Sequence, residues 1–404
     1  MHWRDLVSSS VLPIGVDIGA GGVRLAQLRR RGRGLELVAT ARVELGESRG
    51  GPACDEHVSA VVEAVRSRVE GGGFRGRACV VSLDDRLVRV RSVRHPRMPD
   101  DELDRAVALD APGRLGFVEG EAAEVGWLRA GEVRQGDDVR DEIILVGTRR
   151  EPVERLVFAL AAAGLRPVGV EPGFVAAARS FSRFLRRTED QNTVRVVVDV
   201  GVRSTGVTII RGQSVVFHKP LELGGELMTR AAAERLGVEP AAIEEIRRQR
   251  AASGSCAEAR VDRALFEAVR PVIMDVANEV ALCLRYFGVS FRGLRPDRCV
   301  LVGGEANEPR LAELVGEAIH LPTVVGVPLE GVTVAPESSG AGGSDAGWAV
   351  ATGLSLRALR AAPAASATRR RSDVAAAEGA GGGAASGGAH ASGRPGVSRA
   401  RRAA

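Results

Sequence analysis

The feature that most constrains this chain is a strand, turn and strand unit that occurs twice. The first copy contains Asp17-Ile18-Gly19-Ala20-Gly21-Gly22 between two apolar runs, and the second contains Asp199-Val200-Gly201-Val202-Arg203-Ser204-Thr205-Gly206 between two others. Short apolar runs on both sides of a glycine turn predict β-hairpins. A duplicated hairpin predicts two half-domains of one fold that face each other across a shared cleft.

Both turns have the composition of a phosphate site. Backbone N–H groups of glycine approach an anion closely because no Cβ stands in the way. A dinucleotide fingerprint is excluded for the first turn, since such a loop must open a helix and the residues after Gly22 continue as an apolar strand. Asp17 and Asp199 supply the one or two carboxylates that Mg²⁺ accepts while it keeps most of its waters. The pair of turns therefore predicts a site for a triphosphate with Mg²⁺.

A third glycine motif completes the pattern. Gly303, Gly304 and Glu305 follow an apolar strand and precede a helix that begins near Leu311. In their order and spacing, the three motifs resemble the phosphate-1, phosphate-2 and adenosine motifs of the actin-like ATPase superfamily. The resemblance implies an α/β fold in which two duplicated ribonuclease-H-like lobes surround a nucleotide cleft.

Further segments narrow this resemblance to one family. They are Ile14 to Gly19 with Val23-Arg24-Leu25, Met98 to Leu103, Ala163 to Val168 with Val170-Glu171-Pro172, Leu223 to Thr229, and Gly347 to Arg357. The ordered set runs from about residue 13 to 359 and resembles the type IV pilus assembly protein PilM family, in the FtsA-like branch of the superfamily.

The resemblance also implies the domain organisation. The expected parts are a first lobe (1–190) with a 1C-type β-α-β-β-α insertion at about 86–170, a second lobe (191–337), a Gly/Ser-rich loop (338–346), a final helix that returns to the first lobe (347–360) and a disordered basic tail (361–404). The tail is dominated by Ala, Gly, Ser and Arg, so it cannot bury enough apolar surface to offset the cost of ordering its backbone.

ATP and Mg²⁺ are the cofactors that the resemblance implies. The positions that match nucleotide contacts are Asp17, Gly19, Ala20, Gly21, Gly22, Arg24, Asp199, Gly201, Ser204, Thr205, Gly206, Gly224, Gly225, Glu244, Arg247, Gly303, Gly304 and Glu305, with Asp17 and Asp199 as metal ligands. Glu244 and Arg247 match a family segment beside the ribose, and an exposed charged helix face explains them equally well.

Two departures from the family pattern predict weaker nucleotide binding. The first turn has Ala20, Gly21 and Gly22 where related turns carry serines. At roughly 0.5–1.5 kcal/mol per hydrogen bond, two lost hydroxyls weaken binding by about one to two decades. Glu305 stands where the family tends to have a third glycine, and it adds bulk and negative charge near the nucleoside.

Composition limits the partners and the compartment. The net charge of +5 equals that of the tail, where seven arginines (369, 370, 371, 394, 399, 401 and 402) outnumber Asp373 and Glu378, so the body gives no signal for specific nucleic-acid binding. Five cysteines without CxxC spacing favour reduced thiols. No apolar run is long enough for a membrane span, and the first residues do not form a signal peptide, so we expect a cytoplasmic protein.

Three functions remain at this stage. The resemblance implies a scaffold of the type IV pilus or a related secretion machine that binds the N-terminal cytoplasmic segment of a PilN-like inner-membrane protein. Such a scaffold lies at the inner face of the inner membrane through that partner, near the pilus motor ATPases, and self-association is compatible with it. The alternatives are a small-molecule kinase, for which Asp84 or Asp85 is the available base, and an FtsA-like filament-forming ATPase. Asp84 and Asp85 are also explained as turn residues, and as an enzyme we expect at most slow ATP hydrolysis.

Overall fold

The computed structural model describes residues 10–46, 51–135, 138–185, 187–291, 293–339 and 346–359. The predicted tail at 361–404 lies outside the described residues. No helix in the described ranges is both long enough and apolar enough to cross a bilayer.

The first lobe begins with the predicted meander. Its elements are β1 (Ile14–Gly19), β2 (Gly22–Arg31), β3 (Gly34–Val43), α1 (Asp55–Gly71) and β4 (Ala78–Ser82). The first three strands pair antiparallel, and β4 lies parallel to β1. Val58, Val61, Val65 and Val69 of α1 are buried at helical spacing against this sheet.

The insertion is a three-stranded sheet with one covering helix. A 3₁₀ helix (Asp85–Leu87) leads into β5 (Arg89–Pro96), α2 (Asp100–Arg114), β6 (Ala123–Gln135) and β7 (Asp138–Arg149), and the strand order is β5-β7-β6. Leu103 and Val107 of α2 pack on Trp127 on one face of the sheet. Ala130 and Ile144 on the other face join the core of the second lobe, so the insertion is attached to both lobes.

The chain then returns to the first lobe through α3 (Arg150–Ala162), β8 (Arg166–Glu171) and α4 (Gly173–Ser182). β8 pairs parallel with β4 in the main sheet, and Leu156 and Leu160 of α3 belong to the first-lobe core. The separate insertion therefore ends at Arg149, earlier than the predicted boundary near 170.

The second lobe repeats the hairpin and adds four helices. Its elements are β9 (Val194–Val200), β10 (Thr205–Arg211), β11 (Ser214–Leu221), α5 (Gly225–Leu236), α6 (Pro240–Ser253), α7 (Ala259–Ser290), β12 (Arg298–Val302), α8 (Leu311–Ile319) and β13 (Thr323–Val325). The sheet order is β11-β10-β9-β12-β13. The hairpin β9-β10 corresponds to β1-β2, which confirms the predicted duplication.

The final elements return to the first lobe. β14 (Val332–Ser339) pairs parallel with β3 and completes a sheet of order β14-β3-β2-β1-β4-β8, so the second lobe ends before its predicted limit at 337. A 3₁₀ turn (Ala346–Trp348), α9 (Ala349–Ser355) and a second 3₁₀ turn (Leu356–Leu359) follow. Apolar residues of α4 and α9 form one buried layer with Val80 of the first sheet and Val197 of the second.

Candidate functional site

The first glycine turn is a tight hairpin between β1 and β2. Gly19 pairs with Gly22, so Ala20 and Gly21 form a two-residue turn. Gly22 has a φ of 124°, and a Cβ there would overlap the carbonyl oxygen of Val43, so this position requires glycine. Gly22 thus serves the backbone geometry, while Ala20 and Gly21 border the cleft.

The second turn, from Gly201 to Ser204, is held by the start of α5. The Gly201 amide donates to the Ser204 carbonyl (2.9 Å), and the Gly225 and Glu226 amides donate to the carbonyls of Gly201 (3.0 Å) and Val202 (2.7 Å). The first amides of a helix have no partner within the helix. Here two of them fix the turn, so the turn and α5 form one rigid unit.

A cavity of about 550 Å³ lies between the two turns. The predicted site residues that line it are Asp17, Gly19, Ala20, Gly21, Arg24, Asp199, Gly201, Ser204, Gly206, Gly303 and Gly304. They come from both lobes. The prediction that the duplicated turns share one cleft is therefore confirmed.

Carboxylates dominate the electrostatics of this cleft. Burial raises the pKa of Asp199 to about 7, and the charges of Asp85 and Asp17 add to the effect. Burial also raises the pKa of Asp17, which is opposed by Arg24 and by a hydrogen bond from Ser82 Oγ (3.0 Å). A cation between the lobes would relieve this repulsion.

Arg24 supplies positive charge at the centre of the cleft. Its guanidinium lowers the pKa values of both Asp17 and Asp199, and its buried Nε has no hydrogen-bond partner among the residues that the structure describes. A Cβ on Gly304 would lie 2.7 Å from Arg24 Nη2. Arg24 therefore reaches from the first lobe across to the third glycine motif.

The residues present fit Mg²⁺ with phosphate oxygens at this end of the cleft. Asp17 and Asp199 line the cavity from opposite lobes, beside the two glycine turns. Across the described ranges, no cluster of three or more His, Cys, Asp or Glu side chains is arranged to hold a metal ion. Water and phosphate oxygens would have to complete the coordination.

Seven predicted contacts lie outside the lining of this cavity: Gly22, Thr205, Gly224, Gly225, Glu244, Arg247 and Glu305. The Thr205 hydroxyl donates to the Leu223 carbonyl (2.7 Å). Glu244 is exposed and pairs with Arg248 (3.3 Å), which agrees with a charged helix face, whereas Arg247 is buried with only 4% of its surface exposed. That any of these seven residues contacts a nucleotide stays a prediction.

Asp84 and Asp85 have different roles. Asp84 caps the 3₁₀ helix by accepting from the Arg86 amide (2.9 Å), and it pairs with the Arg86 guanidinium. These contacts agree with the interpretation of Asp84 as a turn residue. Asp85 borders the cleft and accepts from Ser204 Oγ (3.2 Å). The Asp85 to Ser204 bond joins the insertion entrance to the second turn.

Sequence reasoning missed Ser82, Phe174 and His218, which all line the cleft. Ser82 is the last residue of β4, beside the last residues of β1 in a parallel pair. Ligands of α/β sheets bind outside the carboxyl ends of parallel strands. The position of Ser82 at the end of a predicted strand was therefore the sequence signal that could have identified this residue. Phe174 and His218 come from α4 and β11, and only the tertiary fold brings them together.

His218 is a partly buried, neutral imidazole. Its ring stacks on Phe174 with centroids 3.8 Å apart, its Nδ1 lies 2.9 Å from Thr208 Oγ1, and burial lowers its pKa to about 3. An unfolded histidine has a pKa near ~6.5 and binds a proton below that pH. The unfolded state thus binds more protons than the native state, and stability is lost as the pH falls below about 6.5.

We therefore expect His218→Asn to reduce the acid sensitivity of the protein. Between pH 7 and pH 5, His218 should account for about 1–2 kcal/mol of lost unfolding free energy, which the variant should not lose. Urea unfolding at pH 7, 6 and 5 measures the difference. His320→Asn is the control, because His320 is exposed and an αL position tolerates asparagine. Equal pH slopes for wild type and His218→Asn would contradict the assignment.

A second cavity, of about 420 Å³, forms a groove between the first lobe and the insertion. Its lining is Leu83, Val88, residues 124–128 of β6, residues 146–148 of β7, Arg150, Val153, Glu154, Val170, Glu171, Pro172, Val175 and Arg357. Most of these side chains are apolar. β6 is the outer strand of its sheet, and five of its consecutive residues line the groove.

The sequence matches the family described as type IV pilus assembly protein PilM over residues 15–359. The structure is similar to a PilM-PilN type IV pilus biogenesis complex at a TM-score of 0.71, with 24% identity over 87% of this chain and 99% of the other.

Two further solved structures are similar over most of their length. They are the ethanolamine utilization protein EutJ from Carboxydothermus hydrogenoformans (TM-score 0.49, 16% identity, 87% of this chain and 93% of the other) and a ROK family glucokinase from Streptomyces griseus in complex with glucose and AMPPNP (TM-score 0.44, 17% identity, 85% and 98%). The PilM similarity confirms the predicted actin-like fold.

Proposed function

The chain belongs to the type IV pilus assembly protein PilM family, and from this membership we propose that it is a cytoplasmic scaffold of a type IV pilus or related assembly platform. Its partner is the N-terminal cytoplasmic segment of a PilN-like inner-membrane protein. This partner holds the scaffold at the inner face of the membrane, within reach of the pilus motor ATPases.

The groove beside β6 is the observation that carries this proposal. Apolar side chains that are only partly buried, among them Val88, Leu128 and Val153, line it. An extended segment that joins a sheet edge gains main-chain hydrogen bonds, and it places alternate side chains in the groove. The solved relative in which PilM is complexed with PilN supports a partner of this kind.

The groove offers few charged groups to such a segment. Glu124 already pairs with Arg150 (2.7 Å), and Glu171 is bound by Arg179. Because these charges are neutralised within the protein, binding should depend mainly on apolar burial and backbone pairing, with weak dependence on salt.

Gly126→Arg should block this partner without unfolding the protein. A Cβ on Gly126 meets no atom within 4 Å, so the side chain has room in the free protein and would project into the groove. We expect binding of a peptide with the partner's N-terminal sequence to weaken by about 100-fold or more. Fluorescence anisotropy with the labelled peptide measures the change.

Gly113→Arg is the matched control for this experiment. Gly113 lies in α2 of the same insertion, and an added Cβ there also has open space. Both variants gain the same charge, so electrostatic effects cancel in the comparison. Equal binding by Gly126→Arg and Gly113→Arg, with folded protein in both, would place the partner elsewhere.

For the cleft, we propose that it binds the triphosphate of ATP with Mg²⁺. Asp17 and Asp199 would coordinate the metal, and the backbone amides of the two turns would donate hydrogen bonds to the phosphate oxygens. A scaffold needs occupancy of this site more than turnover, so any hydrolysis should be slow. Self-association of the scaffold is part of the same proposal.

A further inference from the structure

The nucleoside end of the cleft is closed by an ion pair. Arg247 Nη2 of α6 donates to Glu305 Oε2 at 2.7 Å. The carboxylate of Glu305 lies against the backbone at the start of α5, where a Cβ on Gly225 would be 2.6 Å from Glu305 Oε2. The pair therefore fills the space between the third glycine motif and α5.

Other contacts hold this pair in place. Arg247 Nη1 donates to the Gly225 carbonyl and to Thr229 Oγ1, both at 2.9 Å. Its Nη2 also donates to Glu308 Oε2 at 2.9 Å, and Glu308 in turn accepts from Arg250 Nη1 at 2.5 Å. Arg247 is thus fixed by several partners, and Glu305 is the member of the network that stands nearest to the cleft.

The shape of the cleft agrees with this closure. Gly303 and Gly304 line the cavity, whereas Glu305, Gly225 and Arg247 do not. The guanidinium of Arg24 lies over Gly304 on the cleft side. The phosphate end is open, whereas the surfaces expected to receive the ribose and the base are occupied by protein side chains.

We infer that Glu305 is a specificity-determining residue that excludes the nucleoside, so that the cleft recognises a metal-bound polyphosphate with little contribution from the base and ribose. This inference rests on the phosphate site proposed above. The bulk of the side chain excludes the nucleoside, and the ion pair with Arg247 holds that bulk in position. The base and ribose of a nucleotide add to its binding affinity only when the ion pair between Arg247 and Glu305 is broken.

The experiment compares two probes, ATP with Mg²⁺ and inorganic tripolyphosphate with Mg²⁺, by isothermal titration calorimetry on the full chain. For wild type we expect dissociation constants within about threefold of each other, because the nucleoside makes no contact. For Glu305→Gly we expect ATP to bind about tenfold tighter than tripolyphosphate. Glu305→Gln retains the bulk and should behave as wild type, and Glu313→Ala removes an exposed glutamate that pairs with Arg310 as a surface control.

Glu305→Gly should fold, since Arg247 keeps Glu308 as a partner, and its melting temperature is recorded to verify this. If tripolyphosphate binds all variants and the ratio of the two constants is the same for wild type and Glu305→Gly, the role of Glu305 is overturned while the phosphate site stands. A wild-type preference for ATP of more than about tenfold overturns it as well. If neither probe binds any variant, the proposed phosphate site fails, and the inference fails with it.

Discussion

Gly353→Ala is expected to destabilise the protein by about 3 kcal/mol, although alanine usually stabilises a helix relative to glycine. Gly353 lies in α9, and a methyl group there would overlap the carbonyl oxygen of Ala176 and stand 2.9 Å from its Cα. Both obstacles belong to the backbone of α4, so no side-chain rotation relieves them. The two helices would have to separate within the buried layer that joins the lobes.

Hydrogen bonds that cross the same contact would be strained with it. Arg179 Nη1 donates to the Gly353 carbonyl (2.8 Å), and Ser180 Oγ donates to the Ala349 carbonyl (2.6 Å). On the opposite side of α9, a Cβ on Gly15 of β1 would overlap the Ala351 carbonyl. Helix α9 therefore packs closely between β1 and α4, and it cannot move away from one without approaching the other.

Urea unfolding measures this effect, with Gly288→Ala as the control. Gly288 lies in α7, where an added Cβ meets no atom within 4 Å, so alanine should stabilise by about 0.5–1 kcal/mol. The same chemical change is thus expected to have opposite signs at the two positions. A Gly353→Ala variant as stable as wild type would show that α4 and α9 are packed less closely than described.

The sequence predicted the two lobes because their signal is local and repeated. The hairpins β1-β2 and β9-β10 both consist of largely buried, apolar strands around a glycine turn, and this pattern needs no knowledge of the rest of the chain. The return of β14 to the first sheet was not predicted. Its pairing with β3 joins residues about three hundred positions apart, and no local pattern specifies such a partner.

The candidate site was predictable in part for the same reason. Asp17 and Asp199 are fixed by the turns beside them, so they face the cleft as expected. Arg247 was matched to a ligand role because its segment resembles a family motif, but its partners Glu305 and Glu308 lie about sixty residues away. Whether an arginine on a helix faces solvent, a ligand or a buried carboxylate depends on such distant residues.

Arg247→Met should destabilise the protein by about 3–5 kcal/mol at pH 7, because removing one member of a buried ion pair leaves the other uncompensated. Methionine retains much of the volume, so the loss reports on charge and hydrogen bonds. Glu305 and Glu308 would face each other without the cation between them, while Glu308 would keep only Arg250. Two carboxylates in this position favour protonation, so the destabilisation should be smaller at pH 5 than at pH 7.

The neighbouring arginine provides the control for that prediction. Arg248 lies on the same helix but is exposed, and it pairs with the exposed Glu244 and Glu245, so Arg248→Met should change the unfolding free energy by no more than about 1 kcal/mol. Combining Arg247→Met with Glu305→Gln should recover part of the loss, since one of the two uncompensated charges is then absent. Equal effects of Arg247→Met and Arg248→Met would mean that the network at the nucleoside end contributes no more than a surface ion pair, and such a network could not hold Glu305 against Gly225.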